Sequence, residues 1–395
     1  MVTGKDIDRL LRQFLEEGIP GCALQIAQKG KTIYEGYAGY ADAEEKTPVT
    51  KDSLFRLASM SKIPLYTTMM MLYERGKFLL TDPVSDYLPE WKESRKFVRK
   101  PNGELQTVPT ERPILISDVL SMKCGLPYCN TRALSDDRTV RSMQACMEPL
   151  WEKGHFTVQE HIAAMSKAVL AFEPGTHWLY GFSSEITAAL VEVLADMPVD
   201  DAFQKFLFDP LGMDNTRSRY FGDAQERMVK LYAWDEGRNL IPTSLPFDEK
   251  HLPGPEHETG WARLFSTVND YTRLMQMLAN GGVYDGKRLM GRKTIDMMRA
   301  NGLDEVQTAE LCRSDPFSAG YGYGYGVRTL IDKQKGDHNG SLGAFGWTGG
   351  FGTWCEADPA EGFSVVYMHN LMHKQLGEER FQHLRVRSVA YGCIE

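Results

Sequence analysis

The sequence predicts an α/β (α+β) fold in which strands from both ends of the chain form one antiparallel sheet flanked by helices, with a mostly helical region inserted. Strand patterns occur within residues 22–37 and return only after residue 320. Between them, apolar residues recur at helical spacing in segments separated by loops rich in Pro and Gly. We expect a sheet domain of residues 1–65 and 266–395, a helical domain of residues 66–265, and an active site between them.

The elements follow in chain order. Residues 5–18 show the periodicity of an amphipathic helix, and two strands at 22–28 and 32–37 are joined as a hairpin at Lys29-Gly-Lys31. Helices are then predicted at 65–75, 117–122, 158–171, 184–195 and 199–207. Two more are predicted at 268–279 and 292–300, each followed by an Asn-Gly step that suits a helix end. Strands at 321–329, 352–356 and 363–368 and a helix at 375–391 complete the chain.

Composition excludes several classes of protein. The 395 residues are 42% hydrophobic and 25% charged, enough for one large core or two modest ones. The formal net charge of -8 argues against nucleic acid or an anionic membrane surface as the main partner. Because the chain shows neither an apolar leader nor a stretch of roughly 20 apolar residues, we predict no membrane partner and a cytoplasmic location. Seven scattered cysteines without a Cys-x-x-Cys pair predict reduced thiols.

A serine and a lysine three residues apart, Ser59 and Lys62, lie directly before a long apolar run. Residues at this spacing share one face of a helix, so the amine can take the proton of the hydroxyl. An ammonium becomes a base only when its pKa falls, so the motif predicts a buried lysine. Pro64 predicts an irregular first turn. Ser-x-x-Lys also occurs by chance in a chain of this length, so the accompanying motifs decide the interpretation.

The accompanying motifs extend over nearly the whole chain. They are Ile19-Pro-Gly-Cys-Ala-Leu24, residues 80–91, Asp118-Val-Leu-Ser121, Cys124-Gly-Leu-Pro-Tyr128, and residues 210–216, 265–270 and 280–286. Together with Ser59 and Lys62 they resemble the serine hydrolases of the class C β-lactamase, penicillin-binding-protein and family VIII carboxylesterase type. The resemblance implies a β-lactamase/transpeptidase-like fold and catalysis through an acyl-enzyme.

The resemblance also implies the remaining site residues. The segment Pro174-Gly-Thr-His-Trp-Leu-Tyr180 is similar to the one that presents the family's catalytic tyrosine, so Tyr180 becomes the partner base or proton shuttle. Without the resemblance, Tyr180 is one of 17 tyrosines, and packing in a core is the favoured explanation. Trp347-Thr-Gly-Gly350 is similar to the Lys-Thr-Gly strand segment, and it places Trp347, Thr348 and Gly349 against the substrate. The backbone amides of Ser59 and Gly350 are the expected oxyanion hole.

Departures from the family pattern favour an ester substrate. Phe182 stands where β-lactamases have an asparagine, Trp347 replaces their strand lysine, and Met122-Lys-Cys124 replaces His-Thr-Ser. We therefore expect a pocket lined by Trp347, Phe182 and Tyr128 that accepts small neutral acyl esters and binds anionic β-lactams poorly. The predicted function is a carboxylesterase. A D-amino-acid peptidase or amidase, a transacylase, a weak β-lactamase and a non-catalytic penicillin-sensor-like protein remain as alternatives.

Other signals are weak. His369 and His373 have a spacing that can bind zinc, but no third ligand lies nearby in the sequence, so we predict no metal and no cofactor. The Gly-x-Ser-x-Gly elbow of α/β-hydrolases is absent from the sequence. The expected partner is a small-molecule ester or amide, and the sequence leaves the oligomeric state open.

Overall fold

A computed structural model describes residues 2–129, 137–154, 156–244, 251, 263–372 and 381–394. Helices occur at α1 (Gly4–Glu16), α2 (Lys62–Glu74), α3 (Ile116–Leu120), α4 (Asp137–Lys153), α5 (Val158–Met165), α6 (Ser183–Ala195), α7 (Val199–Phe203), α8 (Asp209–Leu211), α9 (Ala224–Arg227), α10 (Val268–Ala279), α11 (Arg292–Met298), α12 (Glu305–Ser314) and α13 (Phe381–Tyr391). A π-helical turn, Gln204–Phe208, joins α7 to α8. Among the described residues, no helix has the length and apolar character needed to cross a membrane.

Strands occur at β1 (Gly21–Gln28), β2 (Lys31–Asp42), β3 (Thr47–Pro48), β4 (Phe55–Arg56), β5 (Arg95–Arg99), β6 (Leu105–Pro109), β7 (Val169–Leu170), β8 (Leu231–Trp234), β9 (Leu240–Thr243), β10 (Phe265–Ser266), β11 (Val283–Tyr284), β12 (Lys287–Arg288), β13 (Tyr321–Tyr323), β14 (Arg328–Leu330), β15 (Phe345–Thr348), β16 (Trp354–Asp358) and β17 (Phe363–His369). Within the described residues, eight strands form one antiparallel sheet in the order β13-β14-β15-β16-β17-β1-β2-β3. The N-terminal hairpin pairs with the C-terminal strands, so the predicted fold class is confirmed.

Helices cover both faces of this sheet. The amphipathic helix α1 buries Ile7, Leu11 and Phe14 at helical spacing, and it packs with α13 against one face. Helix α10 packs against β17 and β1 on the other face. Helix α2 is buried over most of its length and packs against α6. The turn at residues 58–61, which leads into α2, contacts β15, an inner strand of the sheet. The division into two domains stays a prediction.

Some element predictions need correction. Residues 321–329 form two short strands, β13 and β14, because a turn with Gly326 at φ 75° separates them. The helix expected over 158–171 ends at Met165, and Val169–Leu170 forms β7 beside β5. The strand expected from residue 352 begins at Trp354. Of the C-terminal helix expected over 375–391, residues 381–391 form α13, and residues 375–380 lie outside the described part of the chain.

Candidate active site

Ser59 lies in a tight turn that joins β4 to α2. The turn Ala58–Ser61 is a 3-10 helix, and Ala58 has a φ of 46°, an uncommon value for a residue with a Cβ atom. Hydrogen bonds hold the turn from both sides, because the Leu57 N–H donates to the Leu264 carbonyl and the Thr353 hydroxyl donates to the Leu57 carbonyl. Ser59 itself is half-buried. The irregular first turn predicted from Pro64 is the 3-10 turn at residues 58–61. It leads directly into α2, of which Pro64 is the third residue.

Lys62, the first residue of α2, is fully buried beneath this turn. Its Nζ donates to Ser59 Oγ over 3.2 Å. Burial lowers the pKa of Lys62 below its usual value, while Tyr180 and Glu185 raise it and offset part of that effect. The amine therefore has the contact and the environment that a base acting on Ser59 requires.

Tyr180 lies across the site from the turn. Lys62 Nζ is 4.9 Å from the centroid of the Tyr180 ring, and Trp347 Nε1 donates to Tyr180 Oη over 3.0 Å. The segment that carries Tyr180 is fixed to α12, since the Trp178 N–H donates to Glu310 and His177 Nδ1 lies 2.6 Å from the same carboxylate. The structure thus brings Ser59, Lys62 and Tyr180 together at one site.

The end of β15 lies against the Ser59 turn. A Cβ atom on Gly349 would clash with the Leu57 carbonyl oxygen, so only glycine permits this approach. Thr348 and Gly349 are half-buried here. Gly350 is exposed, faces open space, and its N–H has no acceptor among the described residues. These are the properties of an oxyanion donor, although the pairing of this amide with that of Ser59 stays a prediction.

Aromatic rings line the opening beside Ser59. The Tyr128 ring lies 4.8 Å from Phe182 and 5.7 Å from Tyr180 between centroids, and Tyr180 lies 5.3 Å from Trp347. Tyr128, Tyr180 and Phe182 are each half-buried as whole residues, although the Tyr128 hydroxyl is buried. Trp347 is largely buried, so its indole N–H acts on Tyr180 while little of its surface reaches the opening. The predicted pocket residues therefore lie side by side.

A layer of buried charges behind the site was missed by sequence reasoning. Glu185 on α6 is fully buried and lies 3.7 Å from His161 Nδ1 on α5. Arg263 is also buried, and its burial lowers its pKa to about 10. A charged residue within the apolar run of α6 was the available signal for Glu185, because such residues are seldom buried without partners.

Metal ligands are not assembled in the described ranges, where no group of three His, Cys, Asp or Glu side chains is placed to hold an ion. His369 is buried, and its Nδ1 lies 3.2 Å from the Tyr367 hydroxyl. His373, the other member of the predicted weak zinc pair, lies outside the described residues. The expectation of no metal and no cofactor stays a prediction.

Several known proteins are similar to this chain over most of its length. Protein Rv1367c of Mycobacterium tuberculosis is 27% identical over 363 residues, covering 91% of this chain and 88% of that protein. Esterase EstB of Burkholderia gladioli is 26% identical over 377 residues, 93% of this chain and 90% of the esterase. The structure of EstCE1, described as a hydrolase with promiscuous acyltransferase activity, superposes with a TM-score of 0.79 at 25% identity and covers 98% of both chains. A family model described as Beta-lactamase matches residues 7–387, and the chain therefore belongs to the beta-lactamase family.

Proposed function

We propose that this chain is a carboxylesterase that cleaves small neutral acyl esters through an acyl-enzyme on Ser59. The observation that carries the proposal is the hydrogen bond from Trp347 Nε1 to Tyr180 Oη. A neutral indole occupies the position where β-lactamases of this type carry a lysine, so the pocket offers no cation there for the carboxylate of a β-lactam. The name of the related Esterase EstB supports the same substrate class.

The mechanism uses residues already placed beside one another. Ser59 Oγ attacks the ester carbonyl carbon while Lys62 and Tyr180 share the hydroxyl proton. The amides of Ser59 and Gly350 bind the oxyanion of the tetrahedral intermediate, and loss of one such donor typically costs about 3 to 4 kcal/mol of transition-state stabilisation. Tyr180 then protonates the leaving alcohol. Water attacks the acyl-enzyme with the same pair as base, which releases the acid and restores Ser59.

Ester turnover and covalent labelling test the proposal together. Wild type should release nitrophenol from p-nitrophenyl butyrate, form a transient acyl adduct detectable by intact mass, and leave nitrocefin untouched. Ser59→Ala should abolish both turnover and adduct. Ser94→Ala is the matched control, because Ser94 is a largely buried serine near β5. Full turnover in Ser59→Ala would refute the mechanism, and rapid nitrocefin hydrolysis would refute the substrate class.

Transacylation is the second candidate function. The description of EstCE1 includes acyltransferase activity, and the partial exposure of Ser59 is compatible with attack by an alcohol as well as by water. Adding a primary alcohol to the ester assay separates the two reactions, since a transacylase forms the new ester faster than the free acid. A D-amino-acid peptide or anilide cleaved faster than the ester would favour the peptidase or amidase. A stable adduct without turnover would favour a non-catalytic, penicillin-sensor-like protein.

A further inference from the structure

A buried carboxylate lies behind the proposed nucleophile and has no part in the mechanism above. Glu185 lies within the first two turns of α6 and has no exposed surface. Burying an ionised carboxylate is costly unless cations or hydrogen-bond donors compensate for its lost hydration. A carboxylate in this position therefore needs partners in the surrounding elements.

Such partners are present on several sides. The basic groups that interact with Glu185 come from three segments: α2, α5 and the chain just before β10. Phenol groups complete the surroundings. Among the described residues, His161 lies in contact with Glu185, and the charge of Glu185 also acts on Lys62, Tyr66, Tyr128 and Arg263.

The contacts also connect Glu185 to the aromatic wall of the site. His161 Nδ1 lies 3.7 Å from Glu185, and the His161 ring packs edge-on against Phe182 at 5.9 Å. Phe182 in turn contacts Tyr128, whose ring centroid is 5.9 Å from Lys62 Nζ. Glu185 therefore belongs to the same packed unit as the base and the pocket wall.

We propose that Glu185 is a positioning residue that holds Lys62 as a buried cation and thereby sets the lower pH limit at which Ser59 is activated. The inference rests on the proposed function, because it assigns Lys62 the role of base. It concerns a residue that does not touch the substrate and acts only through Lys62.

Electrostatics gives the direction in which loss of the Glu185 charge shifts the protonation of Lys62. Burial favours the neutral amine of Lys62, and the negative charge of Glu185 opposes this by stabilising the ammonium form. Removing that charge lets the free amine persist at lower pH.

The pH dependence of kcat/KM for p-nitrophenyl butyrate tests the inference. Glu185→Gln should move the acid limb of the profile to lower pH, so that the fraction of plateau activity retained below the wild-type limb rises by roughly threefold to tenfold. Glu192→Gln is the matched control, because Glu192 lies on the same helix but bonds Gln159 and the Val199 N–H. An unmoved limb in folded Glu185→Gln, with or without a uniform loss of rate, would overturn the inference.

A direct titration of Lys62 separates this inference from the proposed function. The Nζ signal of Lys62, observed by NMR in protein carrying ¹⁵N-lysine and assigned with Lys62→Arg, should titrate at lower pH in Glu185→Gln than in wild type. If that shift occurs while Ser59→Ala retains turnover, the proposed function fails and the coupling stands. If Ser59 is essential and Lys62 does not shift, the coupling fails alone. If Glu185→Gln does not fold, Glu185→Asp replaces it as the test. This variant withdraws the carboxylate by one methylene, and the Lys62 signal must again titrate at lower pH than in wild type.

Discussion

Lys62 shows how position alone changes the environment of a single side chain. Its side chain is fully buried at the start of α2, and the Ser59 hydroxyl accepts a hydrogen bond from its amine. Water would keep the amine protonated, whereas burial removes that hydration and lowers the pKa. The cost of burying the group is reduced by Tyr180 and Glu185, which stabilise the cation. The site therefore balances two opposing effects on one side chain.

A substitution at Trp347 tests whether one hydrogen bond orients Tyr180. Trp347→Phe keeps an aromatic ring but removes the N–H that donates to Tyr180 Oη. Because one such hydrogen bond contributes about 0.5 to 1.5 kcal/mol, we expect kcat for p-nitrophenyl butyrate to fall by roughly threefold to tenfold with little change in KM. Steady-state kinetics measure this. Trp151→Phe, on the exposed surface of α4, is the control and should match wild type. Unchanged kcat in Trp347→Phe would show that the indole N–H does not orient Tyr180.

The sequence was a good guide only where a residue's chemistry is local. Ser59 and Lys62 share a helical turn, so their spacing alone predicts their contact. The neighbours Tyr180 and Trp347 required the family resemblance, because 167 positions separate them in the chain. The buried partners Glu185 and His161 come from different helices. Only tertiary packing brings these two together, and no sequence motif encodes it.

Secondary-structure elements also differ in how closely the sequence predicted them. The hairpin β1–β2 and the helix α10 were predicted closely, because a Lys-Gly-Lys turn marks the hairpin and helical periodicity continues through α10. Helix α12 was missed although Asp304 accepts from the Gln307 N–H in a capping box, a signature that is readable in sequence. The hairpin β5–β6 lies in a charged segment with little alternation, so its pairing was not predictable.

The docking of α13 onto β16 should depend on pH. Glu356 on β16 is buried, its Oε2 lies 3.1 Å from His338 Nε2, and its Oε1 accepts from the Tyr391 hydroxyl of α13 over 3.0 Å. Burial raises the pKa of Glu356, but His338, Arg387 and Tyr391 together outweigh burial and hold the pKa below its usual value of 4.5. A carboxyl with a lowered folded pKa stabilises the fold above its unfolded pKa, and that contribution is lost as pH falls through the folded value.

Thermal unfolding across pH measures this contribution. Tm of the wild type should fall as pH drops below about 4.5, and part of that decline should be absent in Glu356→Gln. At neutral pH the variant should be less stable than wild type by about 3 to 5 kcal/mol. The reason is that the buried groups around residue 356 lose the negative charge that compensates them. Glu45→Gln, an exposed change beside β3, is the control. If Glu356→Gln and wild type lose stability in parallel on acidification, the carboxylate does not carry the effect.

At the scale of the molecule, one apolar core crosses the boundary between the two predicted domains. The core that contains Leu65 of α2 includes Ala23 and Val366 from the sheet. It also includes Val119 and Ile186 from the helical region. The same side chains therefore exclude water from both parts, although a second core beneath α1 and α13 is built almost wholly from the sheet part. The candidate site lies on this shared core, which includes residues of the Ser59 turn and of β15 and packs against Tyr180.

A shared core predicts that the described parts unfold together. Leu65→Ala removes a fully buried side chain from α2 and should cost about 2 to 5 kcal/mol, which should lower the single calorimetric transition as a whole. Tryptophan fluorescence, far-ultraviolet circular dichroism and residual ester turnover should then be lost at the same temperature. Leu79→Ala is the control, because Leu79 is 61% exposed and its truncation should leave Tm nearly unchanged. A second transition that remains at the wild-type temperature in Leu65→Ala would contradict the shared core, because it would show that one part folds independently of α2.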